Sequence, residues 1–569
     1  MSDFASLGNA SVADAYLALL RDRGVTMLFG NAGTDFAPLI EAYAWAGETH
    51  APVPRPILAA HENLAVSMAH GFALVSGTVP AVMVHVSVGT ANMIAAAMNA
   101  ARENVALLLT AGRTPLTEAG RAGSRDGYIH WAQEMYDQAG MLREIVKWDY
   151  ELRAADQLAP VVDRALAIAA SEPAGPVYLT LPREVLGEAA PAAPPRPGRQ
   201  APARASAPDR GSIETAAERL AEARRPLIVT ANAGRDAAAF AALSDFAEQQ
   251  SIPVVQHKPR YLSLPSSHPM HAGYDPARLV PEADAILVLE SDVPWIPAHA
   301  APAAGCTVIQ AARDPLYRHI PIRGFPSDVT IAAGAAATID ALAAALDGRT
   351  DAGTLAGRVR WVEADRASRR AALDGALAGS RTEGAITRAF LSRSLSQAIG
   401  PEGIIFNEYP LDLDHMTIEV HGRYFGSSSA SGLGWAPGAA LGAKLAAPEA
   451  LVVAAVGDGA YMFANPAAVH HAAVLHDLPI LTVVANNAAW HAVTRSTLAM
   501  YPAGRVAGGA AGPFMALDAL PPFEDYASLS GGFGERVETA DALPGAVKRA
   551  LHAVREERRP ALLNVICET

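Results

Sequence analysis

The apolar run LVVAAV, residues 451–456, closes on one carboxylate between two glycines, Gly457-Asp458-Gly459, and a second run, LPILTVVA, closes on Asn486-Asn487. A stretch that continuous fits a parallel strand covered on both faces, with the Gly-Asp-Gly as a tight turn at its carboxyl end. Between the runs, NPAAVHHAAVLHDL (465–478) has helical spacing. Strand, helix, strand implies a right-handed crossover, which sets Asp458 and Asn487 at the same ends of neighbouring parallel strands about 5 Å apart. Ligand chemistry in open α/β sheets sits at those ends.

The same alternation fills the rest of the chain. VTMLFG, AVMVHVSV, VALLLTAG and GPVYLTLP alternate with alanine-rich helical stretches in a first block, and RRPLIVTANAG, IPVVQ and ADAILVLES do so in a second. At 569 residues the chain exceeds one core. The reading is three α/β domains with parallel sheets, Rossmann-like or flavodoxin-like, spanning 1–187, 211–347 and 386–569. A Pro-, Ala- and Arg-rich stretch (188–210) reads as an extended linker, and a charged, partly helical one (348–385) separates the second pair. The first and third blocks look like two versions of one layout. A formal charge of -13 with no basic cluster argues against nucleic acid as partner. Two cysteines, Cys306 and Cys567, form no disulfide framework and match no metal-ligand spacing. With no basic-then-apolar leader and no apolar run of about 18 residues, a soluble cytoplasmic protein that does not contact a membrane is expected.

Asp458 and Asn487 supply two oxygen ligands, and the backbone carbonyl of Ala489 just beyond supplies a third. That donor set suits Mg²⁺, which takes carboxylates together with the oxygens of a bound phosphate. Gly457 and Gly459 let a diphosphate approach the backbone and the helix N-terminus that follows. Alone, Gly-Asp-Gly is also an ordinary turn and Asn-Asn an ordinary strand end. Their pairing across one crossover favours the metal.

That pairing resembles the signature of the thiamin diphosphate-dependent enzymes, and LAAHENLAVSMAHGFALVSG (58–77) is similar to the His-Glu segment of their pyrimidine-binding domain. The resemblance covers the whole chain, as a pyrimidine domain, a central domain and a diphosphate domain. FGNAGTDF (29–36) is similar to the first loop of benzoylformate decarboxylases, with Thr34 in place of their active-site serine. VHVSVGTANMIAAAMNA (84–100) is similar to their histidine-bearing strand end, at His85. WAQEMYDQAG (131–140) looks more like acetolactate synthases. Two features depart from the pattern. Ala460 stands where a serine often follows the Gly-Asp-Gly, and the second histidine of benzoylformate decarboxylases has no clear counterpart, His299 being the nearest.

The resemblance implies roles. Glu62 faces N1′ of the aminopyrimidine, flanked by Leu64, Ala65, Ala69, Phe72 and Ala73, which argue for its burial. Leu433, in SASGLGWAPGAALG (429–442), is the apolar wedge that bends the cofactor, and the carbonyl of Ser431 accepts from its 4′-amino group. Gly457, Asp458, Gly459, Ala460, Asn487 and Trp490 bind the diphosphate end, and Asp458, Asn487 and Ala489 hold Mg²⁺. His85 and Thr34 face the substrate, with His130 and His491 in lesser parts. The activity implied is decarboxylation of a 2-oxo acid through an enamine, which is protonated to an aldehyde or ligated to a second carbonyl, in a homodimer or dimer of dimers with sites at the subunit interface. A lyase of 2-hydroxyacyl- or oxalyl-coenzyme A thioesters shares the layout, and a non-catalytic cofactor-binding regulator is the alternative of another class; Glu62 speaks against the latter. The central block lacks a Gly-x-Gly-x-x-Gly, so a flavin there has no support from sequence.

Overall fold

In the computed structural model, residues 10–191, 200–379 and 386–568 are described. Parts of both proposed linkers, 192–199 and 380–385, lie outside them. Three all-parallel sheets form, as the continuous apolar runs require. The first has the spatial order Arg55–Leu58, Met27–Gly30, Ala81–Val84, Leu108–Arg113, Val177–Pro182, Asp149–Glu151. The third runs Tyr424–Gly426, Ile404–Glu408, Val452–Gly457, Leu481–Asn486, Ala561–Ile566, Phe533–Val537. Counted along the chain, both read second, first, third, fourth, sixth, fifth, so these two blocks do share one layout. Each reverses direction between its first and third strands, which opens a crevice at the carboxyl ends there.

The central sheet runs Val329–Ala332, Thr307–Ala312, Ala285–Leu289, Pro226–Thr230, Val254–Gln256. Its own switch point is filled. Arg260, buried, donates to Asn232 Oδ1 at 2.8 Å and to Asp292 Oδ1 at 2.6 Å. Protein side chains therefore stand where sheets of this type take a dinucleotide. The connecting segments are anchored. Ala203 exchanges hydrogen bonds with Glu172 N and Ser171 Oγ, and the helix Ala352–Gly379 inserts a fully buried Arg358 whose guanidinium donates to the carbonyls of Leu220, Ala223 and Gln250.

The first and third domains meet through two helices, Glu62–Ser76 and Trp435–Ala446, packed backbone to backbone. A side chain at Gly71 would run into the carbonyl of Ala439, one at Gly442 into the carbonyl of Met68, and one at Gly438 into Ser67. Ser67/Gly71 and Gly438/Gly442 are each four residues apart, so each helix offers one smooth stripe to the other. Deep in the contact, Trp435 Nε1 donates to His70 Nδ1 at 3.1 Å.

Gly71→Ala is expected to lower stability by about 1–3 kcal/mol, since the added methyl meets backbone that is itself helical. Gly47→Ala is the matched control: Gly47 lies in the helix Ala37–Thr49 with open space around it, and the change should raise stability by up to about 1 kcal/mol. Urea unfolding of both variants checks the pair; equal, small effects would show that the helix contact is slack.

Candidate active site

The first crevice lies between Met27–Gly30 and Ala81–Val84. The chain leaves the former into Asn31, Gly33, Thr34 and Asp35, and the latter into His85. Glu62 opens its helix in the first turn, where the helix dipole favours a carboxylate, and His61 caps the same turn by accepting from Asn63 N at 3.1 Å. The apolar flanks are buried as expected. The carboxylate itself, 6% exposed, is held by amides: Asn31 Nδ2 donates to Oε1 at 2.9 Å and Asn92 Nδ2 to Oε2 at 3.0 Å. Neither asparagine stood out in the sequence.

His85 is fixed by a partner that its own sequence neighbourhood does not mark. Asp35, buried, lies 2.6 Å from His85 Nδ1. Gln133 Nε2 stands 3.5 Å from His85 Nε2, and Thr34 Oγ1 3.4 Å from His130 Nε2. His130 accepts the backbone N–H groups of Asp126 and Gly127 at Nδ1, each at 3.2 Å, so its hydrogen sits on Nε2 and points at Thr34. Burial and, after it, the nearby Arg183 push the His130 imidazole below its ordinary value, which keeps it neutral. Thr34, His85, His130 and Gln133 thus form one polar wall.

In the third domain Val452–Val456 is wholly buried and parallel to Leu481–Asn486, with Gly457 beside Ala485. Asp458 and Asn487 meet as expected. Asp458 Oδ2 accepts the N–H of Asn487 at 3.1 Å and Oδ1 that of Gly459 at 2.7 Å. Burial pushes this carboxyl up, against the pull of the backbone N–H groups of Gly459 and residues 487–489. Asn487 Oδ1 accepts from Ala489 N at 3.1 Å, and Asn486 turns inward to Asn564. A side chain at Gly457 would project into open space, whereas one at Gly459 would strike the Trp490 indole. Ala460 is buried behind them and His491, half-buried, starts the next helix.

Leu433 and Ser431 sit on a loop that all three domains clamp. Asn99, from the first, exchanges hydrogen bonds with Gly432 at 2.8 and 3.0 Å; Asp292, from the centre, accepts from Ser429 Oγ at 2.9 Å; Glu408, from the third, accepts the N–H groups of Gly434 and Ala436, both at 2.8 Å. Ser431 has φ 53, a left-handed turn that rotates its carbonyl out of line with the neighbouring peptides. His61, Asn63, Asn92, Leu433, Met462 and Phe463 line a cavity of about 420 Å³ between the first and third domains. His299 is not brought in: it is exposed on the central domain, after the strand Ala285–Leu289. Among the described residues no cluster of three or more His, Cys, Asp or Glu could hold a metal, so a cation bound here would have to draw on amide and carbonyl oxygens beside Asp458.

Fold and site define an enzyme with two like α/β domains, each presenting a buried carboxylate at the carboxyl ends of its strands, bridged by a third domain. Residues 10–141 match the family model of the N-terminal TPP binding domain of thiamine pyrophosphate enzymes, 213–342 that of the central domain and 412–565 that of the C-terminal TPP binding domain. The chain belongs to the thiamin diphosphate-dependent enzymes, in the group of decarboxylases and acetolactate synthases. It is 26% identical to the benzoylformate decarboxylase of Pseudomonas aeruginosa, over 98% of this chain and 99% of that protein. It is 24% identical to the large subunit of acetolactate synthase isozyme 3 of Escherichia coli, over 96% and 93%. The thiamine diphosphate-dependent 4-hydroxybenzoylformate decarboxylase of Rhodococcus jostii RHA1 has the same fold, with a TM-score of 0.76 at 22% identity over 98% of this chain and 99% of that one.

Burial pushes the Glu408 carboxyl up to about 7, against the pull of the N–H groups it accepts at the helix start. The folded chain then keeps a proton that the unfolded chain releases near 4.5. The resulting stability is present below 4.5 and is lost as pH rises through about 7, up to about 3 kcal/mol in all. Buried His271 and His470, pushed down to about 3 and about 4, act in the opposite sense, their contribution being lost as pH falls from their ordinary 6.5. The difference in urea stability between wild type and Glu408→Gln isolates the carboxyl: it should change between pH 4.5 and 8, wild type losing ground as pH rises. A pH-independent difference would place the Glu408 proton outside that range.

Proposed function

We propose that the protein is a Mg²⁺- and thiamin diphosphate-dependent 2-oxo acid decarboxylase that releases an aldehyde or joins the residual fragment to a second carbonyl. The observation that carries this reading is the pair of strand-end sites, one in each of the two like domains, with their different donor sets. One holds Glu62 between two amides, suited to a ring nitrogen; the other joins Asp458 to Asn487 across adjacent strands, suited to a hard cation and phosphate oxygens. The open space over Gly457 and the Leu433 side chain on the cavity wall fit the diphosphate end and the bend of such a cofactor.

Bound thiamin diphosphate supplies a thiazolium carbon that adds to a ketone and takes up the electron pair released with carbon dioxide. The chain's own residues do the rest. Glu62 holds a proton against N1′, kept in line by Asn31 and Asn92. Leu433 supplies the apolar wedge and Ser431 the carbonyl that receives the 4′-amino group. Asp458, Asn487 and the Ala489 carbonyl hold Mg²⁺, while Gly457, Gly459, Ala460 and Trp490 shape the space beside it. His85 moves a proton at Nε2, and Thr34, with His130 behind it, positions the acid. Met462 and Phe463, 40% and 55% exposed beside Leu433, support a site completed by a second copy of the chain, as homodimer or dimer of dimers.

Purified protein should release carbon dioxide from one or more of a panel of aromatic and aliphatic 2-oxo acids only when both thiamin diphosphate and Mg²⁺ are supplied. Glu62→Gln should bind thiamin diphosphate with little change in calorimetry and lose turnover about 10²–10⁴-fold. Asp458→Asn should instead lose the Mg²⁺-dependent binding. Full turnover in Glu62→Gln, or Mg²⁺-dependent affinity kept in Asp458→Asn, would remove those assignments.

A further inference from the structure

We propose that Asp35 is a positioning residue that locks His85 in its Nδ1–H tautomer and turns the Nε2 lone pair toward the site, an inference that rests on the decarboxylase reading and deepens it. One Asp35 oxygen lies 2.6 Å from His85 Nδ1 and the other accepts the backbone N–H of Val86 at 3.2 Å. An ionised carboxylate only accepts, so the ring nitrogen facing it carries the hydrogen. On the far side, a donor, the Gln133 amide nitrogen, stands 3.5 Å from Nε2, which matches a nitrogen with a free lone pair.

The surroundings are cut to this pair. A side chain at Gly33 would occupy the place of the His85 ring, and one at Gly112 the place of the Asp35 carboxylate. Val86, β-branched, is held at φ 32, where such residues are seldom found, and its N–H is the one that Asp35 receives. Asp35 is 2% exposed while the His85 side chain keeps 16%, so the acid is sealed in and the imidazole reaches out. With hydrogen fixed on Nδ1, Nε2 takes a proton from a hydroxyl or water in the site and later returns it, and the Asp35 carboxylate at Nδ1 balances the imidazolium.

A role limited to tying two strand ends is separable from this one. In Asp35→Asn the amide oxygen still serves Val86 N–H, which leaves the NH₂ group facing His85 Nδ1 and forces the hydrogen onto Nε2. Nitrogen NMR of cofactor-free, histidine-labelled protein at pH 8, assigned by the signals missing in His85→Gln, reads the tautomer directly. Expected are an Nδ1–H ring in wild type and an Nε2–H ring in Asp35→Asn, together with a 10²–10⁴-fold loss of 2-oxo acid turnover at unchanged thiamin diphosphate affinity. An Nε2–H ring in wild type, or wild-type turnover with the tautomer swapped, would overturn the proposal. Should no 2-oxo acid be turned over by wild type, the decarboxylase reading fails and the NMR result still decides the tautomer. Should Asp35→Asn not fold, the wild-type spectrum alone decides it.

Discussion

The contact of Gly71 with Ala439 and of Gly442 with Met68 fixes the geometry of everything else. Two helices from domains hundreds of residues apart approach until backbone meets backbone, which only glycine at these positions permits. Glu62 is the first residue of one helix, and Leu433 stands two residues before the other. His61 and Asn63, the residues on either side of Glu62, border one cavity together with Leu433. A slip of one residue along either helix would bring a methyl against a carbonyl. The small-residue stripe therefore sets the register of the wedge against the carboxylate's surroundings, far more tightly than apolar packing would.

The three switch points show how one architecture serves two purposes. The outer two leave polar groups beside their crevices: Asn31, Asp35 and His85 at one, and at the other Asp458, with Asn487 one strand further on. The central crevice is closed by Arg260 and Asp292, a buried pair that no longer offers room but reaches across to Ser429. Through that hydrogen bond the filled domain still acts on the loop of Ser431 and Leu433. Since Asn99 and Glu408 hold the same loop, its left-handed turn at Ser431 is over-determined from three sides, which is what lets an uncommon backbone conformation persist.

Much of this was legible in the sequence. The runs that end in Gly-Asp-Gly and Asn-Asn pointed to parallel strands and to adjacency of Asp458 and Asn487, because burial on both faces and a crossover leave little other choice. The burial of Glu62 followed from its apolar flanks. What sequence did not reveal were partners whose identity depends on three-dimensional closure. Asn31 and Asn92 reach Glu62 from a loop and from a different helix, and nothing in their own neighbourhoods marks them. Asp35 reads as part of a loop motif, since the separation of 50 positions from His85 hides the pairing. His299 was chosen for lack of a better histidine, and its exposed position on the central domain separates it from the polar wall. Glu408 ends a buried strand, and nothing in the sequence ties its carboxyl to the start of the helix beyond Leu433.

Asp35 and Asp458 repeat one device in the two like domains. Each leaves the carboxyl end of a strand, is buried, and spends one oxygen on the backbone N–H that follows the neighbouring strand, Val86 in one case and Asn487 in the other. A carboxylate without partners in such a place would cost several kcal/mol. Here the N–H groups at the strand ends lack ladder partners of their own, so acid and backbone satisfy one another. The second oxygen then differs between the two domains. In Asp35 it faces the His85 imidazole, whereas in Asp458 it accepts the backbone N–H of Gly459, so one structural solution turns toward a side chain in one domain and toward the start of a helix in the other.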